Sequence, residues 1–150
     1  MPLSPIEEII SFALDKERES IQFYEDLARK IENPVLRETI LSMADQERKH
    51  EKLLKGLSPK NIQALLGPSL PDMKITNYLV DVEFSKDVSY QEILIIAMKR
   101  EEKSYALYSE LEARATDDAT RKMFELLKGE ELRHKATLEK EYEGRVLWEG

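Results

Sequence analysis

Apolar positions recur along this chain in alternating steps of four and three, the spacing of a helix that buries one face. The longest such stripe runs Ile6, Ile10, Ala13, Glu17, Ser20, Tyr24, Leu27, Ile31. Three others follow: Leu36, Ile40, Met43, Glu47, His50, Leu54; then Leu94, Ala97, Glu101, Ser104, Tyr108, Leu111; then Phe124, Leu127, Glu131, His134, Leu138. Every stripe is apolar except near its centre. Start and stop signals place the ends. Ser4-Pro5-Ile6-Glu7 is a capping box with proline at the first helical position, which predicts a helix over 5–31. Asn33-Pro34 makes the next turn and caps a helix over 34–55, with Gly56 as its C′ residue. Ser89-Tyr90-Gln91-Glu92 opens a helix over 90–115, and Thr116-Asp117-Asp118 caps a last one over 118–143, ending near Gly144.

The short turns at 32–33 and 116–117 make two antiparallel helical hairpins. Between them, 56–88 contains Pro59, Gly67, Pro68 and Pro71, with room for one short helix over 59–66. A segment of that length can cross from one end of a bundle to the other, so the expected fold is all-α, a four-helix bundle of two hairpins joined by a long crossover. At 150 residues the chain is sized for a single domain, 1–150. Trp148 reads as a tail-packing side chain.

The hairpins repeat one another. Adding 84 to a position in the first lands on its counterpart in the second: Ala13 on Ala97, Glu17 on Glu101, Ser20 on Ser104, Tyr24 on Tyr108, Leu27 on Leu111, Arg37 on Arg121, Glu47 on Glu131, His50 on His134, Leu54 on Leu138. Each hairpin therefore carries A-x-x-x-E-x-x-S-x-x-x-Y on its first helix and E-x-x-H on its second.

Charge narrows the chemistry. A formal net charge of −7 disfavours nucleic acid and anionic membrane surfaces as partners. No cysteine is present, which excludes thiolate nucleophiles, Cys-ligated clusters and a rubredoxin-type iron site. No apolar run is long enough to span a bilayer and no leader pattern opens the chain, so the expected location is cytoplasmic. The bundle would bring Glu17, Glu47, Glu101 and Glu131 to one level with His50 and His134, the only two histidines. Buried carboxylates demand a counter-charge, and no Lys or Arg lies on these stripes. Two divalent cations match four glutamates with neutral imidazoles. Residues three apart share a helix face, so each Glu-x-x-His presents two ligands to one centre. Carboxylate and imidazole suit Fe, Mn or Zn.

On these residues the sequence resembles the ferritin-like di-iron carboxylate superfamily, in its rubrerythrin-related branch but lacking the rubredoxin-like domain. Glu130-Glu131-Leu132-Arg133-His134 is similar to that superfamily's E-E-x-R-H signature, while the first hairpin departs with Gln46-Glu47-Arg48-Lys49-His50. The resemblance implies two iron ions, Glu47 and Glu131 as candidates to bridge them, and Glu17 and Glu101 as terminal ligands. Tyr24 and Tyr108 lie seven residues, about 10 Å, beyond the first-helix glutamates. They are expected to reach Glu101 and Glu17 respectively, or to be plain core aromatics; Ser20 and Ser104 border the site.

By the same resemblance the expected activity is an oxidoreductase that reduces H2O2 or O2, drawing electrons from a separate donor. Rubrerythrins carry an additional carboxylate one turn after the third-helix glutamate, where this chain has Ser104, so its six ligands look closer to bacterioferritin. The rivals are a ferroxidase or iron-storage protein, an O2-dependent hydroxylase, and a non-redox, metal-stabilised binding module. A homodimer is expected, with domain swapping through the crossover as one route.

Overall fold

The computed structural model describes residues 4–65, 78–79 and 89–149, the last five of these as helical backbone. It contains helices α1 (Pro5–Arg29), α2 (Pro34–Lys55), α3 (Pro59–Ala64), α4 (Tyr90–Arg114) and α5 (Asp118–Glu149), with no strand among the described residues. The chain divides into two compact units, Met1–Gly67 and Pro68–Gly150, each built on one helical hairpin. The course of 66–77 and 80–88, most of the expected crossover, and the side chain of Trp148 lie outside the described residues.

In the first unit the Ser4 hydroxyl accepts from the Glu7 amide at 3.2 Å and the Glu7 carboxylate accepts from the Ser4 amide at 3.3 Å, so the capping box satisfies two amides that helix geometry leaves over. Asn33 Oδ1 accepts from both Val35 and Leu36 at the start of α2. α1 ends two residues short of the expected Ile31. The amides of Lys30 and Ile31 turn to carbonyls three residues back, at 3.0 and 3.2 Å, tightening the last turn so the chain can reverse. Ile31 stays buried all the same. Gly56 closes α2 as its C-cap with φ −80°, not as a left-handed C′ residue, so the position makes no use of glycine's positive-φ freedom. The ion pairs Arg18–Glu51 and Glu25–Arg48 link α1 to α2; as one residue number rises the other falls, which makes the hairpin antiparallel. Every position of the α1 stripe is buried, flanked by Ile9, Phe23 and Ala28.

The second unit repeats this plan with local differences. Ser89 caps α4 by accepting from the Glu92 amide at 3.1 Å, and its hydroxyl donates to the Glu92 carboxylate. Asp117 caps α5 through the Thr120 amide at 2.8 Å. α4 stops at Arg114, one residue before the expected end, with Ala115 extended. α5 runs past Gly144 to Glu149. One glycine in a helix interior costs only about 1 kcal/mol against alanine, and no proline or cap follows it to end the helix. Glu102–Lys135, Glu112–Lys128 and Tyr90–Glu141 tie α4 to α5, again in antiparallel order.

Two features of the hairpins have measurable consequences. Arg37 Nε and Nη2 donate to the Ile31 carbonyl at 2.9 and 2.7 Å, and Arg121 Nη2 donates to the Ala115 carbonyl at 3.1 Å. These are the same contact 84 residues apart: an arginine one turn into the second helix fastens the end of the first. Arg37→Ala is expected to cost about 1 kcal/mol and Arg121→Ala less, because the former loses the forked contact; urea unfolding of each variant measures this.

The Glu112–Lys128 bridge, 2.6 Å long, stands where the first hairpin has the buried alanines Ala28 and Ala44. The hydrogen bond to Glu112 holds the Lys128 ammonium above its ordinary pKa, against an opposing push from burial. A folded pKa raised above the unfolded one means stability that is fully present below the unfolded value, about 10.4, and lost as pH rises through the folded value. Glu112→Gln is accordingly expected to lower the Lys128 pKa in an NMR titration and to cost below about 1 kcal/mol at neutral pH, the range of a partly exposed pair.

Candidate metal centre

Each hairpin gathers one glutamate from its first helix and a Glu-x-x-His from its second. In the first unit Glu17 is 2% exposed, while Glu47 and His50 are fully buried. His50 Nδ1 lies 3.3 Å from Glu47 Oε1 and 3.5 Å from Glu17 Oε1. The central turn of α1 buries Glu17 between Ala13 and Ser20, two small residues that leave room beside the carboxylate. The second unit reproduces the triad. Glu101, Glu131 and His134 are buried, and His134 Nδ1 stands 3.6 Å from Glu101 Oε1 and 3.8 Å from Glu131 Oε1.

All six residues singled out from the sequence are thus buried, three together in each hairpin. The potential donor atoms of each triad lie within 4.8 Å of one another. The four histidine–carboxylate separations exceed the roughly 2.7–3.2 Å of an ordinary N–H···O hydrogen bond. They match donors sharing a cation, since ligands about 2.0–2.2 Å from an ion stand roughly 3–4 Å apart. The donor chemistry fits as well. Two carboxylates and one imidazole per triad offer oxygen and nitrogen to a divalent ion whose charge balances both carboxylates.

Tyr24 and Tyr108 are buried. Tyr24 meets Phe23 edge to face at 5.7 Å between ring centres, and Tyr108 stacks on Phe124 at 6.0 Å. Ser20 is buried and Ser104 half-buried, so the repeat does not enclose its two serines equally. Glu130 is half-buried and Arg133 exposed.

The sequence reading did not single out the ion pairs beside the triads. Arg18 follows Glu17 and Glu51 follows His50; their 2.6 Å pair joins α1 to α2 one residue beyond the triad. At the equivalent place, Glu102 and Lys135 form a 2.9 Å pair with the charges reversed. The signal was present in the 84-residue offset, which maps Arg18 onto Glu102 and Glu51 onto Lys135, so a cross-helix pair recurs with its charges exchanged. The Arg18 guanidinium holds the Glu51 carboxyl below the usual carboxylate range despite burial that pushes it up. Bonding to Glu102 raises the Lys135 ammonium above its own.

An all-α chain with paired buried Glu, Glu-x-x-His triads on repeated hairpins has the features of the ferritin-like class. The rubrerythrin family model matches residues 8–142, and the chain belongs to that family. No curated protein sequence matches it. Two solved structures share the fold over nearly their whole lengths. A protein from Thermotoga maritima, described as ferritin-like and diiron-carboxylate, is similar with a TM-score of 0.75 and 24% identity, covering 92% of this chain and 94% of that one. A hypothetical protein from Pyrococcus furiosus is similar with a TM-score of 0.69 and 26% identity, covering 95% and 91%. No helix among the described residues is long and apolar enough to cross a membrane.

Proposed function

We propose that this protein is a di-iron carboxylate oxidoreductase that reduces hydrogen peroxide or dioxygen. The observation that carries the reading is the recurrence, in a rubrerythrin-family chain, of one buried Glu, Glu-x-x-His triad at the same place in both hairpins. Glu17, Glu47, His50, Glu101, Glu131 and His134 would hold two ions, with Glu47 and Glu131 as bridging candidates and Glu17 and Glu101 as terminal ones. Iron is the native choice in this reading, with manganese or zinc as substitutes. A ferrous pair held by these residues would supply two electrons, one from each ion, enough to take H2O2 to water or O2 to H2O2.

The protein's part is positional. Its helices fix the ligands, the apolar residues around each triad keep bulk water away, and small Ser20 and Ser104 leave space beside Glu17 and Glu101. The proposed role of the Tyr24 and Tyr108 hydroxyls is to donate to Glu101 and Glu17 and orient those carboxylates, the alternative being that both are plain core aromatics. In this reading electrons come from a separate donor, because the chain has no cysteine for a thiolate-ligated iron centre of its own; the proposed setting is cytoplasmic.

Ser104 favours one second reading. A carboxylate at that position would add a seventh ligand; serine leaves a six-ligand set that suits iron oxidation for storage.

Anaerobic Fe(II) titration of the metal-free protein tests both. Two tightly bound ions per chain, oxidised faster by H2O2 than by O2 and without further uptake, are expected. Iron accumulating far beyond two per chain, in an assembly of many subunits, would move the protein to the storage reading. A stoichiometry near zero removes the metal centre and the proposed activity together.

A further inference from the structure

On the side of α5 away from its buried stripe, Lys122, Arg133 and Lys140 are spaced by about three and about two whole turns, so they form one line along the helix. All three are exposed and none has a carboxylate partner among the described residues, whereas Arg121, Lys128 and Lys135 of the same helix are held by Asp118, Glu112 and Glu102. Glu125 shares this face, but it acts on Lys128 alongside Glu112. Among the cations, Leu126 and Leu132 are each 49% exposed, and a depression of about 390 Å³ opens at Gly129. On a chain of net charge −7, an apolar patch set in a line of unpaired cations is a local reversal of sign. Its place matters as well. Glu131 and His134 leave the helix about 200° and about 140° round from Gly129, so this face lies directly behind the second triad, one helix width of about 10–12 Å away.

We propose that this face of α5 is where the separate electron donor docks, and that the donor is a small one-electron protein with an acidic surface around its redox centre. The proposal rests on the oxidoreductase reading, which makes such a donor necessary: turning one H2O2 and two protons into two waters consumes two electrons, so a one-electron donor is oxidised twice per turnover. Electron transfer through protein falls steeply with distance, and here a single helix separates the surface from Glu131 and His134. The cations steer an acidic partner into place, and the leucines give it apolar surface to cover. A phosphate polyanion would use the cations and leave the leucines in water, so the mixed patch favours a protein. The patch is small, which suits a complex that forms and parts once per electron.

NMR titration of the isotope-labelled, Zn(II)-loaded protein with an acidic plant-type ferredoxin tests docking without electron transfer. Perturbed amides should centre on α5 between Lys122 and Lys140, with a dissociation constant of roughly 10–100 μM at low ionic strength that weakens as salt is added. Lys122→Glu combined with Lys140→Glu, neither beside a metal ligand, should weaken binding about ten-fold at unchanged Tm; Lys52→Glu combined with Lys60→Glu, the same change of charge in the first unit, should weaken it far less. Basic cytochrome c should leave these amides unmoved. The proposal is overturned if ferredoxin fails to bind below about 1 mM, or binds as well after the α5 charge reversal. It is overturned too if inorganic polyphosphate, or concentration of the protein alone, perturbs the same amides equally, which would give the face to polyanions or to a second copy. Iron that binds but does not react with H2O2 would remove the oxidoreductase reading and the docked protein's role as donor, while failed docking with that reaction intact would remove this proposal alone.

Discussion

Glu47→Gln is expected to change stability with opposite signs in the metal-free and metal-loaded protein. Glu47 is fully buried within reach of Glu17 and His50, so in the metal-free protein its ionised form would face a like charge at close quarters where desolvation is costly. A neutral amide of nearly the same shape removes the charge but brings two N–H groups that need acceptors, an opposing cost of about 1–3 kcal/mol. The net gain should be about 1–2 kcal/mol, or about 3–6 °C in Tm for a chain of this size. With metal the balance reverses. Each ion present at about a hundred times its dissociation constant stabilises the folded state by about 2.7 kcal/mol, so two ions raise the wild-type Tm by roughly 10–20 °C. The amide is a far poorer ligand than the carboxylate, and most of that rise should vanish in the variant. Thermal unfolding followed by circular dichroism, with and without redox-silent Zn(II), separates the cases. Equal destabilisation in both conditions would show Glu47 to be an ordinary structural residue and would count heavily against the dinuclear reading.

Phe124→Ala is the most damaging single truncation expected away from the triads. The ring is fully buried on α5 and stacks on Tyr108 of α4, so its removal takes away transfer free energy and leaves a cavity that a pair of long helices cannot close. The expected loss is about 3–5 kcal/mol, lowering Tm by roughly 6–20 °C. Val35, 77% exposed at the start of α2, is the control: Val35→Ala should stay within about 0.5 kcal/mol. Similar losses for the two variants would mean that the α5 stripe does not form a close-packed core.

Much of the fold is legible in the sequence because its causes are local. Ser4, Asn33, Ser89 and Asp117 cap the four long helices from within three residues of the groups they satisfy. The four-three spacing marks the face that each helix buries, and the triads interrupt that spacing with charge, which is why Glu17, Glu47, His50, Glu101, Glu131 and His134 stand out without a structure. The ends are less legible. α1 stops at Arg29 because its last amides turn to carbonyls three back, and α5 continues through Gly144 because a single glycine is too weak a signal to end a helix without a following cap.

What the sequence by itself determined is therefore the number, faces and caps of the helices and the twofold recurrence of their buried acids and histidines. The tertiary structure alone decided which atoms meet. It brings His50 Nδ1 to 3.3 Å from one carboxylate and 3.5 Å from another. It turns Arg37 and Arg121 back onto the carbonyls of the preceding helix, and pairs Arg18 with Glu51 where its repeat pairs Glu102 with Lys135. Helical periodicity assigns a side chain to a face, but a contact depends on the separation and rotation of two helices and on the rotamers of both partners, and no local pattern in one helix carries those quantities.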